Sequence, residues 1–256
     1  MWGLADLVHH MQIKLSVADF LDVAQRISPR LYTISSSAVA QPNVLSMTIS
    51  LSGREVNGQI RYGMVSGHVV RLKQQLSLKQ ESQVRIGFQE SNFHLPERLQ
   101  TECILVSTGT GYAPFRAFAQ ERSYCMDKNI PTTLGKLILF FGCRKREEDY
   151  IFAEEVFDQN SSGCYSAVFE AFSREDPKNK VYVQDILEHK ADMILRILYK
   201  AQGRIYACGN TGMVRDVLKI IAKHIGEAQK LTAAQTDKEM QRLIKEKQIC
   251  TEAWDN

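Results

Sequence analysis

The chain has 256 residues, 44% hydrophobic and 24% charged, with a formal net charge of +3. That is enough for two modest domains or one large one with a real core, while the charge is too small and scattered to point to nucleic acid, since the runs Arg144-Lys145-Arg146 and Lys245-Glu246-Lys247 are followed or interrupted by acids. Six cysteines (Cys103, Cys125, Cys143, Cys164, Cys208, Cys250) form no CxxC pair, which argues against a metal site or disulfide framework and for a reducing compartment, and no run approaches the roughly 18 apolar residues of a membrane span.

The opening MWGLADLVHHMQIKL lacks the basic start and apolar run of a secretory signal, and reads as a chain entered in mid-domain. Over 17–27, VADFLDVAQRI places Val17, Phe20, Leu21, Val23 and Ala24 at helical spacing, and Ser28-Pro29 ends that predicted helix. From Leu31 to about Phe93 the apolar runs are short, β-branched and broken by Gly, Ser and Asn; LYTIS, VLSMTISL and VRIGF predict antiparallel strands. After Pro96 the texture changes. CILVS (103–107), KLILFFG (136–142), CYSAVFEAF (164–172) and RIYACG (204–209) are nearly continuous apolar runs, as expected of parallel strands buried on both faces. Helical patterns separate or follow them at Pro114–Cys125, Ile151–Asp158, Val183–Tyr199 and Met213–Ile225, the last with Val214, Val217, Leu218, Ile221 and Ile225 on one stripe. Alternation of strand and helix predicts a doubly wound parallel α/β domain, with a boundary near Leu95–Thr101.

One turn stands out. ILVSTGTGYAPFRAF runs from a buried strand through Gly109-Thr110-Gly111 into a helix with Pro114 in its first turn. Glycines allow close approach of an anion, and a helix start offers free N–H groups. Alone, GTG fits a plain strand-to-helix turn equally well, as SREDPKNK (173–180) fits a solvated loop.

Four segments nevertheless occur together: STGTGYAPFRAFAQER, LFFGCRKREEDYIF, AFSRE with KVYVQ, and YACGNTGMVRDV. In order and spacing they resemble the NADP half of the diflavin reductases, the family of the NADPH–cytochrome P-450 reductase and sulfite reductase flavoprotein type, over nearly the whole chain. The resemblance implies a remnant of a helical connecting region at 1–28, an incomplete antiparallel FAD-binding β-barrel at 29–99, and an NADPH-binding α/β domain at 100–256. It assigns Ser173, Arg174, Lys180, Tyr182 and Gln184 to the adenosine 2′-phosphate side of NADPH, and Arg144 and Thr110 to its phosphates. A phosphate suits that set, since Arg and Lys give charge-assisted hydrogen bonds and hydroxyls complete its oxygens.

For FAD the resemblance implies Arg30 at the pyrophosphate, Tyr32 against the isoalloxazine, and Thr33 near the reactive nitrogen, followed by Ser35. Gly63-Met64-Val65-Ser66 matches a pyrophosphate-binding turn, with Met64-Val65 replacing the more usual Val-Cys. Cys208 matches the thiol beside the nicotinamide. Glu252, commonly Asp in the family, and Trp254 close the site, Trp254 by covering the flavin face that nicotinamide needs; relatives end at or just after this aromatic, whereas Asp255-Asn256 follow it here. Thr33, Cys208, Glu252 and Trp254 are thus the implied catalytic group, with no metal. Asn210 stands where relatives often carry Asp. The implied reaction is hydride transfer from NADPH to FAD, then electron transfer to a flavodoxin-like FMN domain and a haem or iron–sulfur acceptor. Expected location is the cytoplasm, or a membrane's cytosolic face without membrane contact by this segment. A freestanding ferredoxin–NADP reductase and an NADPH-binding fragment without redox activity are the rival readings.

Overall fold

Five apolar runs build one parallel sheet: β3 (Cys103–Thr108), β4 (Leu137–Cys143), β5 (Ala167–Phe172), β6 (Arg204–Asn210) and β7 (Ile249–Trp254), in the order β5-β4-β3-β6-β7. The computed structural model describes residues 4–24, 28–56, 58–128 and 133–254. The chain divides into two compact units, Met1–Leu31 and Tyr32–Asn256.

In the first unit lie two short helices, α1 (Leu4–His10) and α2 (Val17–Val23). Ser16 caps α2: its hydroxyl accepts the Asp19 N–H at 3.1 Å while the Asp19 carboxylate accepts the Ser16 N–H at 3.0 Å. The helix expected over 17–27 is seen to Val23, and residues 25–27 lie outside the described residues.

In the second unit, residues 32–99 differ from expectation. Gly53–Val56 (β1) and Gln59–Tyr62 (β2) form a two-stranded antiparallel ribbon, and LYTIS contributes only the bridge Ile34↔Met47. VRIGF (84–88) is not a strand, and α3 (Met64–Ser77) follows where a turn was expected. Val65, Val69, Leu72 and Leu76 recur at helical spacing in α3, a period that the surrounding short apolar runs obscured. A closed barrel is not shown among the described residues.

The α/β half follows the sequence closely. The expected helices are α4 (Ala113–Asp127), α6 (Ala153–Ser161) and α9 (Thr211–Gln229). The expected Val183–Tyr199 helix is divided into α7 (Val183–Glu188), α8 (Ala191–Leu195) and a π-helical turn over Arg196–Lys200. Three elements were not anticipated, the short α5 (Arg146–Asp149), α10 (Ala233–Lys245) and β7. Alternate residues along each strand face opposite ways. Ile104, Val106, Ile138, Phe140, Ile205 and Ala207 pack with α7, α8 and α9, while Cys103, Leu105, Leu139, Phe141, Tyr206 and Cys208 pack with α4. Helices cover both faces, so the sheet is doubly wound, and β3 is its first and central strand.

Candidate active site

Where strand order reverses around β3, the crevice beyond the carboxyl ends of β3 and β6 is the natural ligand position in such a sheet. The turn after β3 opens there. Gly109 adopts φ +51°, a conformation that favours glycine. A Cβ on Gly111 would lie 2.1 Å from the Cys208 carbonyl oxygen, so only glycine lets the turn pack directly on β6. Thr110 is half-buried between them, and Pro114 sits in the first turn of α4. Across the crevice Asn210 caps α9, its side chain accepting the Met213 N–H at 2.8 Å. Asn caps as well as Asp does, which accounts physically for Asn210 at this position.

Ser107, Cys208 and Glu252 are paired in register across β3, β6 and β7. By strand alternation all three face the α4 side. Cys208 is fully buried. Burial, and secondarily the Glu252 carboxylate, push its thiol well above the ordinary range. It is therefore a neutral, compact group and not a thiolate nucleophile. The Glu252 carboxylate receives the Thr33 hydroxyl at 2.8 Å on one oxygen and the Ser91 hydroxyl at 2.9 Å on the other. Trp254, the last residue of β7, pairs in register with Asn210 and packs against the cluster that contains Cys208. It is half-buried in a strand rather than frayed; Asp255 and Asn256 lie outside the described residues. Thr33, Cys208, Glu252 and Trp254, spread over more than 200 residues of sequence, are thus brought to one end of one sheet.

The loops after β4 and β5 run side by side. The Ser173 N–H donates to the Cys143 carbonyl at 3.0 Å and the Arg174 N–H to the Arg144 carbonyl at 2.8 Å, which sets Arg144 next to Ser173-Arg174. Lys180 is exposed, Tyr182 starts α7, and Gln184 is half-buried in its first turn. Among the described residues Arg144, Arg174 and Lys180 have no ion-pair partner, whereas neighbouring Lys145 and Arg146 pair with Glu148 and Glu170. Unpaired cations beside a hydroxyl are chemically suited to a phosphate.

The expected flavin residues behave less uniformly. Tyr32 is 37% exposed. Arg30 is exposed and belongs to the unit Met1–Leu31. Ser35 is buried; its N–H donates to the Ser46 carbonyl at 2.8 Å and its own carbonyl accepts from Arg116 at 2.9 Å. Arg116 in turn holds Glu155 through two bonds of 2.7 and 2.8 Å. At the start of α3 the buried Ser66 hydroxyl accepts the Ser52 N–H at 2.8 Å, so it secures the loop. Met64 is exposed and Val65 half-buried, and Gly63 precedes the helix with no side-chain cap. What this segment can offer an anion is the backbone of a 14-residue helix start. Ser91 and Arg116 were missed from sequence, because nothing local marks a residue whose partners lie 161 and 81 positions away.

Residues 105–219 match the oxidoreductase NAD-binding domain family. The chain is 34% identical over 235 residues to the NADPH–cytochrome P450 reductase of Drosophila melanogaster, which covers 91% of this chain and 34% of that protein. It is 31% identical over 235 residues to the Musca domestica protein of the same name, with the same coverage. Against the inducible nitric oxide synthase of Homo sapiens it is 35% identical over 230 residues, 88% of this chain and 19% of that one. The chain thus spans about a third or less of the length of these curated relatives. The resemblance drawn from the four linked segments is borne out.

Proposed function

For a chain whose residues 105–219 belong to the oxidoreductase NAD-binding domain family, we propose that it binds NADPH and FAD and passes electrons from the first to the second. The observation that carries this reading is the Thr33–Glu252 hydrogen bond of 2.8 Å beside the buried Cys208. The Thr33 hydroxyl, on an irregular segment of the N-terminal half, and a carboxylate from the far end of the α/β half meet at a half-solvated sheet edge where packing does not require it. Their meeting has a chemical reason.

FAD, when bound, supplies the acceptor of hydride and the means to release electrons singly. This chain supplies placement. Arg144, Arg174, Lys180, Ser173, Tyr182 and Gln184 hold the 2′-phosphate end, and the Gly109-Thr110-Gly111 turn with the α4 start holds the pyrophosphate. The neutral thiol of Cys208 crowds the nicotinamide into a near-attack pose. The Glu252 carboxylate stabilises the positive charge that grows on the ring as hydride leaves. On the flavin side Tyr32, the first turn of α3 at Gly63-Met64-Val65-Ser66 and the segment with Ser35 serve the cofactor, and Trp254 guards the face that nicotinamide must use; for Arg30, in the unit Met1–Leu31, a role at the flavin pyrophosphate rests on the family resemblance alone. Residues 29–99 act as part of the flavin-binding domain, 1–28 as part of a connecting region, and 100–256 as the NADPH domain. A flavodoxin-like FMN domain and then a haem or iron–sulfur protein would take the electrons that bound FAD would supply, an arrangement that suits a cytoplasmic or cytosol-facing enzyme. Support for a haem acceptor comes from the name of the cytochrome P450 reductases among the relatives, which says what those proteins reduce.

The test is spectroscopic. The purified chain mixed with FAD should retain a flavin spectrum after desalting, and NADPH should bleach it anaerobically. Arg174→Ala should weaken NADPH binding roughly 10- to 100-fold, the worth of one charged hydrogen bond, with NADH little changed. No retained flavin, or equal losses for both nucleotides, would overturn the proposal.

A further inference from the structure

We infer that Ser91 is a positioning residue of the hydride-transfer site, acting through Glu252; this rests on the reading above that Glu252 works at the nicotinamide. Glu252 lies on β7, the edge strand, paired with β6 alone. A glutamate there has three side-chain torsions and solvent on one flank, so its carboxylate is placed only if something holds it. One hydrogen bond would leave the group free to rotate about the contact. Two bonds to different oxygens fix its plane. Thr33 takes one oxygen at 2.8 Å and Ser91 the other at 2.9 Å, and the two hydroxyls come from segments 58 residues apart.

The Ser91 hydroxyl is itself aimed. Its oxygen accepts the Phe93 N–H at 3.0 Å, so its single hydrogen is left to point at Glu252. A serine bonded to the N–H two residues on is an ordinary loop feature; the bond across 161 residues is not. The segment that carries Ser91 is also anchored to the framework that carries Cys208. The Phe93 ring packs against Phe115 and Phe118 with centroids 5.9 and 6.1 Å away, and edge-on to Tyr206 at 5.2 Å. The Tyr206 hydroxyl donates to the His94 carbonyl at 2.8 Å. Tyr206 precedes Cys208 by two on β6, on the same face. Lys247, just ahead of β7, donates to the Asn92 side chain at 3.0 Å. Residues 91–95 therefore strap thiol and carboxylate into one frame, and the hydroxyl of Ser91 is the strap's contact with the reacting end.

The test compares Ser91→Ala, Ser91→Thr and Glu252→Gln in the full chain with two readouts. In single-turnover reduction of bound FAD, Ser91→Ala should be slowed about 3- to 10-fold, as for loss of a partly solvated bond to a charge, with the half-saturating NADPH concentration within about twofold of the parent. Ser91→Thr should restore the parental rate. On the flavin-free chain, calorimetry gives the ratio of NADP+ to NADPH affinities. A fixed carboxylate favours the cationic ring, so that preference should fall about threefold in Ser91→Ala and stay parental in Ser91→Thr. Effects of Glu252→Gln on rate and ratio with none from Ser91→Ala would overturn the inference and leave the reading of Glu252 intact. Silence of Glu252→Gln in both readouts would overturn both, since Ser91 reaches the site by no other route.

Discussion

Residues 32–99 and residues 100–254 sit in the same compact unit yet are held by different physics. In the second region β3, β4 and β6 are buried on both faces, and two apolar clusters flank the sheet. In the first, Leu45, Met47, Leu51, Ile60, Leu76, Leu78, Val84, Ile86 and Phe88 are all exposed, while Ser35, Ser36, Ser37, Ser66 and Pro96 are the buried ones among the described residues. Those serines tie loop to loop. Ser36 accepts the Ser46 N–H at 2.9 Å and donates to the Val44 carbonyl at 3.1 Å, and the Ser37 N–H donates to Gln120 on α4 at 3.1 Å. Apart from Phe93 and Leu95, which pack on the second cluster, the first region is held by hydrogen bonds of about 1 kcal/mol net each, where the second is stabilised by apolar area removed from water. A region held by small, local terms can adapt to a cofactor, and a region held by a core can present rigid catalytic groups to it.

The largest test of that contrast is a matched pair of truncations. Leu139→Ala, at a fully buried site on β4, should cost roughly 2–5 kcal/mol. Phe88→Ala, at a side chain 77% exposed, should cost no more than about 0.5 kcal/mol. Urea unfolding measures both, and equal losses would show that 32–99 has an apolar core after all. Next comes Gly111→Ala, which forces a methyl to within 2.1 Å of the β6 backbone. It should destabilise by about 1–3 kcal/mol and weaken NADPH binding more than the distant Leu139→Ala does; an unaltered NADPH affinity in titration would remove this turn from the nucleotide site.

Smaller again is Arg116→Ala. Arg116 joins the two regions through Ser35 and Glu155, and its side chain is 14% exposed. Its loss should cost about 2 kcal/mol and show as faster proteolytic cutting between 32 and 52. Cutting at the parental rate would mean the serine bonds suffice to hold that segment. The smallest effect belongs to Glu102, whose carboxyl is held below its ordinary value of 4.5 mainly by its hydrogen bond to Arg196. A depressed carboxyl contributes stability that is fully present above 4.5 and is lost as the pH falls toward the lowered folded value. The parent should therefore lose up to about 1 kcal/mol more than Glu102→Gln between about pH 6 and pH 3. Parallel pH profiles of unfolding would show that this pair adds nothing to what burial already provides.

The same contrast explains what could be read from the residues alone. Runs such as CILVS and KLILFFG announce strands buried on both faces, because no polar alternation is needed when helices cover each side. Val214, Val217, Ile221 and Ile225, expected on one stripe of α9, are all buried. The helix α10 was legible but unread: Thr232 and Gln235 form a capping box at its start, and T-x-x-Q is a local signal. In 32–99, outside the helical spacing of α3, the short apolar runs carried little such information, since side chains such as Leu45, Leu51, Val84 and Phe88 stay in solvent and their spacing reports no shared face.

By itself the sequence determined the parallel sheet, the GTG turn at its centre and the linked segments that resemble one reductase family. These are encoded locally, in hydrophobic period, in glycine positions and in motif spacing. Only the tertiary structure decided that ICTEAW is an edge strand, that Glu252 is gripped by Thr33 and Ser91 at once, and that Arg116 spans three segments. Those outcomes depend on which distant segments pack together. A hydroxyl and a carboxylate 161 or 219 residues apart leave no trace in each other's neighbourhood, so their meeting is a property of the folded chain.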